Sequence, residues 1–272
     1  MTDAVNARAT QALAGRQASA GAVASLALTE ARRLVLHPAY LALIGLLVLT
    51  TGIDGVNSMA PTRGSTASLL ELLLVFVPLM SVFPANLVAS SARRGNAEDT
   101  LDAAPLTARA RTLALCLAAL GPAALSAVGV VAYWWVAYRA GPLLEGALPL
   151  GAIASVPLLF VGAGALGVAT AQWLRVPGAA LAVVVGLVAW TASFGNAPVG
   201  AWLCPWVVAY AEAENPLAAG GSHLWHAIYL LGLGGLAAVA ALVWHPGGRR
   251  SFVAAGALVA VLTAVAGWAQ LP

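Results

Sequence analysis

The sequence predicts an all-α, polytopic integral membrane protein: a bundle of six to seven transmembrane helices, entered through an N-terminal interfacial helix. Between Arg33 and the C-terminus lie seven charge-free windows of 20 to 36 residues, bounded by Arg33 and Asp54, Glu71 and Arg93, Arg111 and Arg139, Glu145 and Arg175, Arg175 and Glu212, Glu214 and Arg249, and Arg250 and Pro272. A helix rises about 1.5 Å per residue and the hydrocarbon core is about 30 Å thick, so roughly 20 apolar residues suffice to cross it. Lipid offers the backbone no hydrogen-bond partner, which makes the helix the form such runs take. Composition agrees: 61% of residues are hydrophobic, 8% are charged and the mean hydropathy is +0.89, against about 25% charged residues in a soluble domain. All 13 basic residues are arginines. With the N-terminus cytoplasmic, eleven fall in inner segments and only Arg63 and Arg139 lie outside, the asymmetry of the positive-inside rule. The net charge of +3 comes with no basic face or stripe, so no nucleic-acid partner is expected.

Residues 1–21 are small and polar and are expected to form a disordered cytoplasmic tail, with residues 22–272 as the transmembrane domain. No apolar stretch precedes position 22, so no signal peptide is expected. Ala22 to His37 mixes leucines with Glu30, Arg32 and Arg33 and is too polar to span. Val23, Leu26, Ala27 and Leu34 share one loose face and Glu30, Arg33 and His37 another, which predicts an in-plane helix that turns into the membrane at Pro38. The spans are expected at 38–56, 68–91, 112–137, 149–172, 178–196, 224–244 and 252–271. Trp173 and Trp244 then fall at inner ends, and Trp134, Trp135, Tyr138, Trp225 and Trp268 at outer ends, where amphipathic rings prefer the headgroups. The last run contains Gly256, Gly267 and Trp268 and ends without an anchoring charge, so six spans with a peripheral hairpin is the alternative. Pro78, Pro84, Pro122 and Pro157 are expected to kink the second, third and fourth spans. Small-residue runs such as Gly162-Ala-Gly164 and Gly232-Leu-Gly234-Gly235 permit close helix contact.

The connection between the second and third spans is built differently from the others. It runs from Arg93-Arg94-Gly95 through Glu98, Asp99, Thr100, Leu101 and Asp102 to Pro105, Thr107, Arg109 and Arg111. Glu98 to Ala104 has helix formers with acids in its first turns, and Pro105 stops it, which predicts a short interfacial helix. Thr107 suits the N-cap of the third span, with Arg109 and Arg111 anchoring that span at the inner headgroups. After the fifth span, Trp202, Trp206 and Tyr210 recur every four residues, while Pro198, Pro205 and Pro216 divide the segment, so it is not a continuous span.

The chain has no lysine, so a GxxxxGK[ST] phosphate loop is absent and the chain does not hydrolyse ATP by that route. HExxH, GxSxG and CxxC are absent too, and no cofactor or metal is expected on this chain. Cys116 and Cys204 fall on opposite sides of the membrane, which excludes a disulfide within one chain. His223 and His226 could share a helical face and a metal, but beside Trp225 they read more simply as headgroup-level polar residues. Asp54 and Glu71 end the first span and begin the second, and form a possible polar site at the outer surface if those ends meet. Asn86 is an amide placed to bond across helices.

The elbow Glu30-Ala-Arg32-Arg33-Leu34 through His37-Pro38, with Arg93-Arg94-Gly95, Thr100-Leu101-Asp102 and Pro105-Leu106-Thr107-Ala108-Arg109, resembles the permease subunits of type-2 ATP-binding-cassette (ABC) exporters. Their elbow helix leads into the first span and their coupling helix joins the second span to the third. The interval from Thr100 to Pro105 is shorter here than in typical members, and a seventh span exceeds their usual six. The resemblance implies a bacterial inner-membrane exporter subunit that pairs with a second permease copy or homologue and recruits a separate ATPase. ATP and magnesium would be bound on that ATPase. It also implies that Arg93, Arg94, Glu98, Asp99, Thr100, Leu101, Asp102, Pro105, Thr107 and Arg109 meet the ATPase, and that Glu30, Arg32, Arg33 and His37 belong to the elbow. The alternatives are an ion-coupled secondary transporter, for which the predicted mid-membrane lacks charge and the chain lacks an internal repeat, or a membrane-embedded lipid-modifying enzyme, for which no constellation is evident.

Overall fold

The computed structural model describes residues 20–42, 81–96, 106–140, 154–194, 198–204, 221–245 and 249–271, and all regular structure among them is helical. In chain order these are α1 (residues 20–35), α2 (38–42), α3 (81–89), α4 (Ser91–Arg94), α5 (Ala108–Ala118), α6 (Leu120–Ala140), α7 (Val156–Trp173), α8 (Ala179–Phe194), α9 (Pro198–Leu203), α10 (His223–Val243) and α11 (Arg249–Ala269). Among the described residues, four stretches are long and apolar enough to cross a membrane: Ala108–Ala132, Val156–Trp173, His223–Val243 and Arg249–Ala269; Ala179–Phe194 is a shorter apolar helix. They fall on the predicted third, fourth, sixth, seventh and fifth spans, and their number and length fit a multi-pass membrane protein. The last run is a helix of 21 residues. Of the first two predicted spans, only 38–42 and 81–91 lie among the described residues.

The third span is broken where its sequence requires it. Pro122 has no N–H for the carbonyl of Ala118, and its ring crowds that carbonyl. The chain answers with a tighter turn at Ala119, whose N–H bonds Cys116 at 3.3 Å, before α6 begins. Pro157, by contrast, stands in the first turn of α7 and interrupts nothing, because the missing donor there has no intrahelical partner to lose. The α7–α8 connection turns at Val176-Pro177-Gly178-Ala179, closed by Ala179 N–H to the Val176 carbonyl at 3.3 Å. Gly178 has φ +83°, the value a type II turn needs after proline.

Helix α7 is the centre of the bundle: 61% of its apolar window is buried, against 17% for α11. Its small residues set the approach of its neighbours. A Cβ on Gly162 would stand 3.7 Å from the Gly234 Cα, so α7 and α10 cross at close range, and a Cβ on Gly167 would collide with the Val82 carbonyl of α3. The Asn86 amide donates to the Gly167 carbonyl at 3.4 Å, as its position predicts. Helices α10 and α11 form an antiparallel hairpin, with Gly232 against Thr263, Gly235 against Val259 and Gly256 against Val239. Helices α3, α7 and α10 run parallel, as the second, fourth and sixth spans of an alternating topology must.

Helix α1 packs on this bundle through Ala27, Glu30 and Leu34, all buried. A Cβ on Gly121 would lie 2.8 Å from that of Ala31, so α1 crosses at the proline-broken turn of the third span. Glu30 therefore lies on the packed stripe, not on the polar face the sequence assigned it. At about 100° per residue it sits only about 40° from Leu34 and 60° from Ala27 around the helix, which is the physical reason. As predicted, α1 ends before Pro38. His37 Nδ1 accepts the Ala39 N–H at 3.2 Å, and the His37 carbonyl accepts from Tyr40 at 2.9 Å, starting α2 in a new direction.

Candidate functional site

Apart from Arg139, near the end of α6, the described arginines in or beside the helices gather at one end of the bundle, where α4, α7 and α10 finish and α5 and α11 begin. Arg93, in α4, places both Nη1 and Nη2 3.2 Å from the Ala171 carbonyl near the end of α7. Arg94 donates to the Leu87 carbonyl one helix back. The chain then leaves the helix through Asn96 at φ 51°, a left-handed conformation that asparagine tolerates. It returns at Leu106, whose carbonyl accepts from Arg111 Nη1 at 3.1 Å. Thr107 is the predicted N-cap, its hydroxyl accepting the Ala110 N–H at 3.2 Å.

Arg109 makes its contacts within the bundle. Its Nη2 donates to the His245 carbonyl at 2.7 Å, and its guanidinium lies 4.7 Å from the centre of the Phe252 ring, which ties α5 to the α10–α11 connection. Thr112, one turn on, donates to the Ala108 carbonyl at 3.1 Å and meets His245 Nε2 at 2.7 Å. A hydroxyl committed to Ala108 takes the Nε2 proton of a neutral His245. Burial, and then the positive charges of Arg109, Arg111 and Arg175, hold the His245 imidazole below its ordinary pKa. Trp173 and Trp244, both predicted at this end, stack edge to face at 5.1 Å, with Arg175 over the Trp244 ring at 5.1 Å. Trp173 Nε1 donates to the Ala240 carbonyl at 2.8 Å.

Beside this knot, Glu30 and Arg33 of α1 and His37 of the turn after it face Leu87, Val88, Ser91 and Arg94 across a groove of about 310 Å³. Arg33 Nη1 donates to Glu30 Oε1 at 3.0 Å. Arg32 is exposed. Four predicted site residues thus share one groove, while Arg93, Thr107 and Arg109 brace the flanks of the connection between the second and third spans. Glu98, Asp99, Thr100, Leu101, Asp102 and Pro105, with the outer pair Asp54 and Glu71, lie outside the described residues, as do Trp206 and Tyr210.

The opposite end has a polar knot of its own. Trp202 is 0%, Gln270 0% and His226 2% exposed. His226 Nδ1 and Gln270 Oε1 lie 2.8 Å apart, and Gln270 Nε2 donates to the Trp202 carbonyl at 2.9 Å. Tyr229 donates to the Leu203 carbonyl at 3.1 Å. His226 is therefore buried within the protein at this end, and no cluster of metal-ligating side chains occurs among the described residues. Sequence reading missed His245, Thr112 and Gln270. His245 had a usable signal: a histidine between Trp244 and Arg249 in an arginine-flanked connection. Comparison with known proteins returns no match among family models, curated proteins or solved structures.

Proposed function

We propose that this chain is the transmembrane permease subunit of an ABC exporter in a bacterial inner membrane, with its N-terminus cytoplasmic. It pairs with a second permease copy or homologue, and a separate ATPase docks on residues 93–111. The observation that carries this reading is the bracing of that connection. On one flank Arg93 grips α7 at Ala171, and on the other Arg109 grips the α10–α11 connection at His245. A push on the segment between them passes to the ends of the second, third, fourth and sixth spans together, which alternating access driven from one face requires. A helix there lying in a groove of the ATPase delivers that push when nucleotide closes the ATPase pair.

Two measurements test the proposal. The detergent-solubilised protein, pulled from its native membrane, should bring a stoichiometric partner that carries a phosphate-loop motif and hydrolyses ATP. Replacing Glu98, Asp99 and Asp102 together by alanine should preserve expression and abolish stimulation of that ATPase by the permease. A protein that remains alone after cross-linking in intact cells, or full stimulation in the triple variant, overturns the assignment.

A further inference from the structure

Glu30 is 8% exposed, yet only one of its carboxylate oxygens is used: Oε1 accepts from Arg33, while Oε2 is buried without a hydrogen-bond partner among the described residues. An unpaired anionic oxygen removed from water is costly, and a donor that reaches it is bound strongly. This oxygen belongs to a residue lining the elbow groove, whose other polar residues are mostly cationic or donating: Arg33, Arg94, His37 and Ser91. Arg94 commits one N–H to the Leu87 carbonyl and has others to offer. His37 Nδ1 is occupied by the Ala39 N–H, so its donor is Nε2. Ser91 gives its proton to the Val88 carbonyl at 2.7 Å and presents lone pairs. One wall is apolar, from Leu87 and Val88, and Leu36 and Leu41 beside His37 are 56% and 53% exposed.

We propose that this groove binds the headgroup of an ethanolamine phospholipid, its ammonium on Glu30 Oε2 and its phosphate between Arg94, Arg33 and His37, with the acyl chains along Leu36 and Leu41. Charge complementarity selects this occupant. A purely anionic headgroup satisfies the arginines but meets the Glu30 carboxylate. A choline headgroup has the right charges but no N–H for Oε2. An ethanolamine headgroup supplies an anion and a hydrogen-bonding cation a few bonds apart, and the arginine end of apolar spans is the level at which headgroups lie. The proposal rests on the membrane reading of the chain and is independent of the ATPase partnership.

The test is native mass spectrometry of the full chain released from micelles doped with equal amounts of phosphatidylethanolamine, phosphatidylcholine and phosphatidylglycerol. One phosphatidylethanolamine should be retained at least about tenfold over the other two, the factor expected of one hydrogen bond to a buried charge. Glu30→Gln should erase the preference over phosphatidylcholine at unchanged Tm, and Arg94→Gln should weaken retention of all three lipids. Equal retention of the three by the unmodified protein, or a preference that survives Glu30→Gln, overturns the proposal. Displacement of the lipid by an equal concentration of soluble phosphoethanolamine would assign the groove to a water-soluble ligand and also overturn it. A chain that leaves the membrane fraction without detergent would instead sink the membrane reading itself.

Discussion

His245 is held neutral by burial and by three surrounding arginines, so acid works against the contact it makes with Thr112. Its folded pKa lies below the ordinary histidine value, so the unfolded or undocked state binds the proton first. The stabilisation is complete above about pH 6.5 and is lost as the pH falls from there through the folded pKa. We predict that thermal stability in detergent declines on acidification from about pH 7.5 to about pH 5 and that His245→Gln flattens this decline; an equally steep profile in the variant contradicts the assignment. Gln270 gives a second prediction. It is fully buried between His226 and the Trp202 carbonyl, and Gln270→Leu strands both partners, at a cost of about 1–3 kcal/mol per unpaired group, read as a lowered Tm. The Thr107 cap was legible because a cap is local, needing only a hydroxyl three residues before the N–H it accepts. Gln270 was not legible, because its partners lie 44 and 68 positions away and nothing in a sequence of alanines and glycines brings them together.

Apolar runs were read well as helices because membrane-length helices need only length and the absence of charge. The predicted 224–244 and 178–196 compare with His223–Val243 and Ala179–Phe194. Proline was read less well, since its effect depends on its distance from a helix start that a charge-free window does not fix. Pro157 is harmless in a first turn, and Pro122 breaks a helix already three turns long. That break is where α1 docks, and Gly121 is the residue that lets it: a Cβ there would meet the Ala31 Cβ at 2.8 Å and the Ala31 carbonyl oxygen at 3.3 Å. Gly121→Val should push α1 off the bundle, costing about 1–3 kcal/mol for the overpacked contact and exposing the 20–35 segment to protease. Gly129→Val, with nothing near its Cβ position, is the control that should leave both Tm and cleavage unchanged. Equal protection in the two variants would show that α1 does not depend on this crossing.

Across the whole molecule, the two ends of the bundle differ in chemistry, and this asymmetry was visible in the order of the arginines. Parallel α3, α7 and α10 bring Arg93, Arg175 and His245 to one end, where α5 starts with Arg109, and antiparallel α11 carries Gln270 and Trp268 back to the other, beside Trp225 and His226. Which helix lies at the centre was not visible. The apolar helices are hydrophobic on all sides, and in lipid the inward face is marked by small residues more than by hydropathy; alanine and glycine are scattered over every face here. The cytoplasmic arginine end belongs to the proposed function and is directly testable. Cys116 and Cys204 are both buried, so an introduced cysteine can be labelled against a quiet background. Leu224, 70% exposed at the start of α10, and Ser251, exposed in the first turn of α11, lie at opposite ends. In intact cells a membrane-impermeant maleimide should label Leu224→Cys and leave Ser251→Cys untouched until the cells are permeabilised. The reverse pattern would invert the protein in the membrane and move any partner of residues 93–111 to a compartment without ATP. Labelling of both positions in intact cells would mean that the bilayer does not separate the two ends, removing the geometric basis for a force applied at one face to open a path at the other.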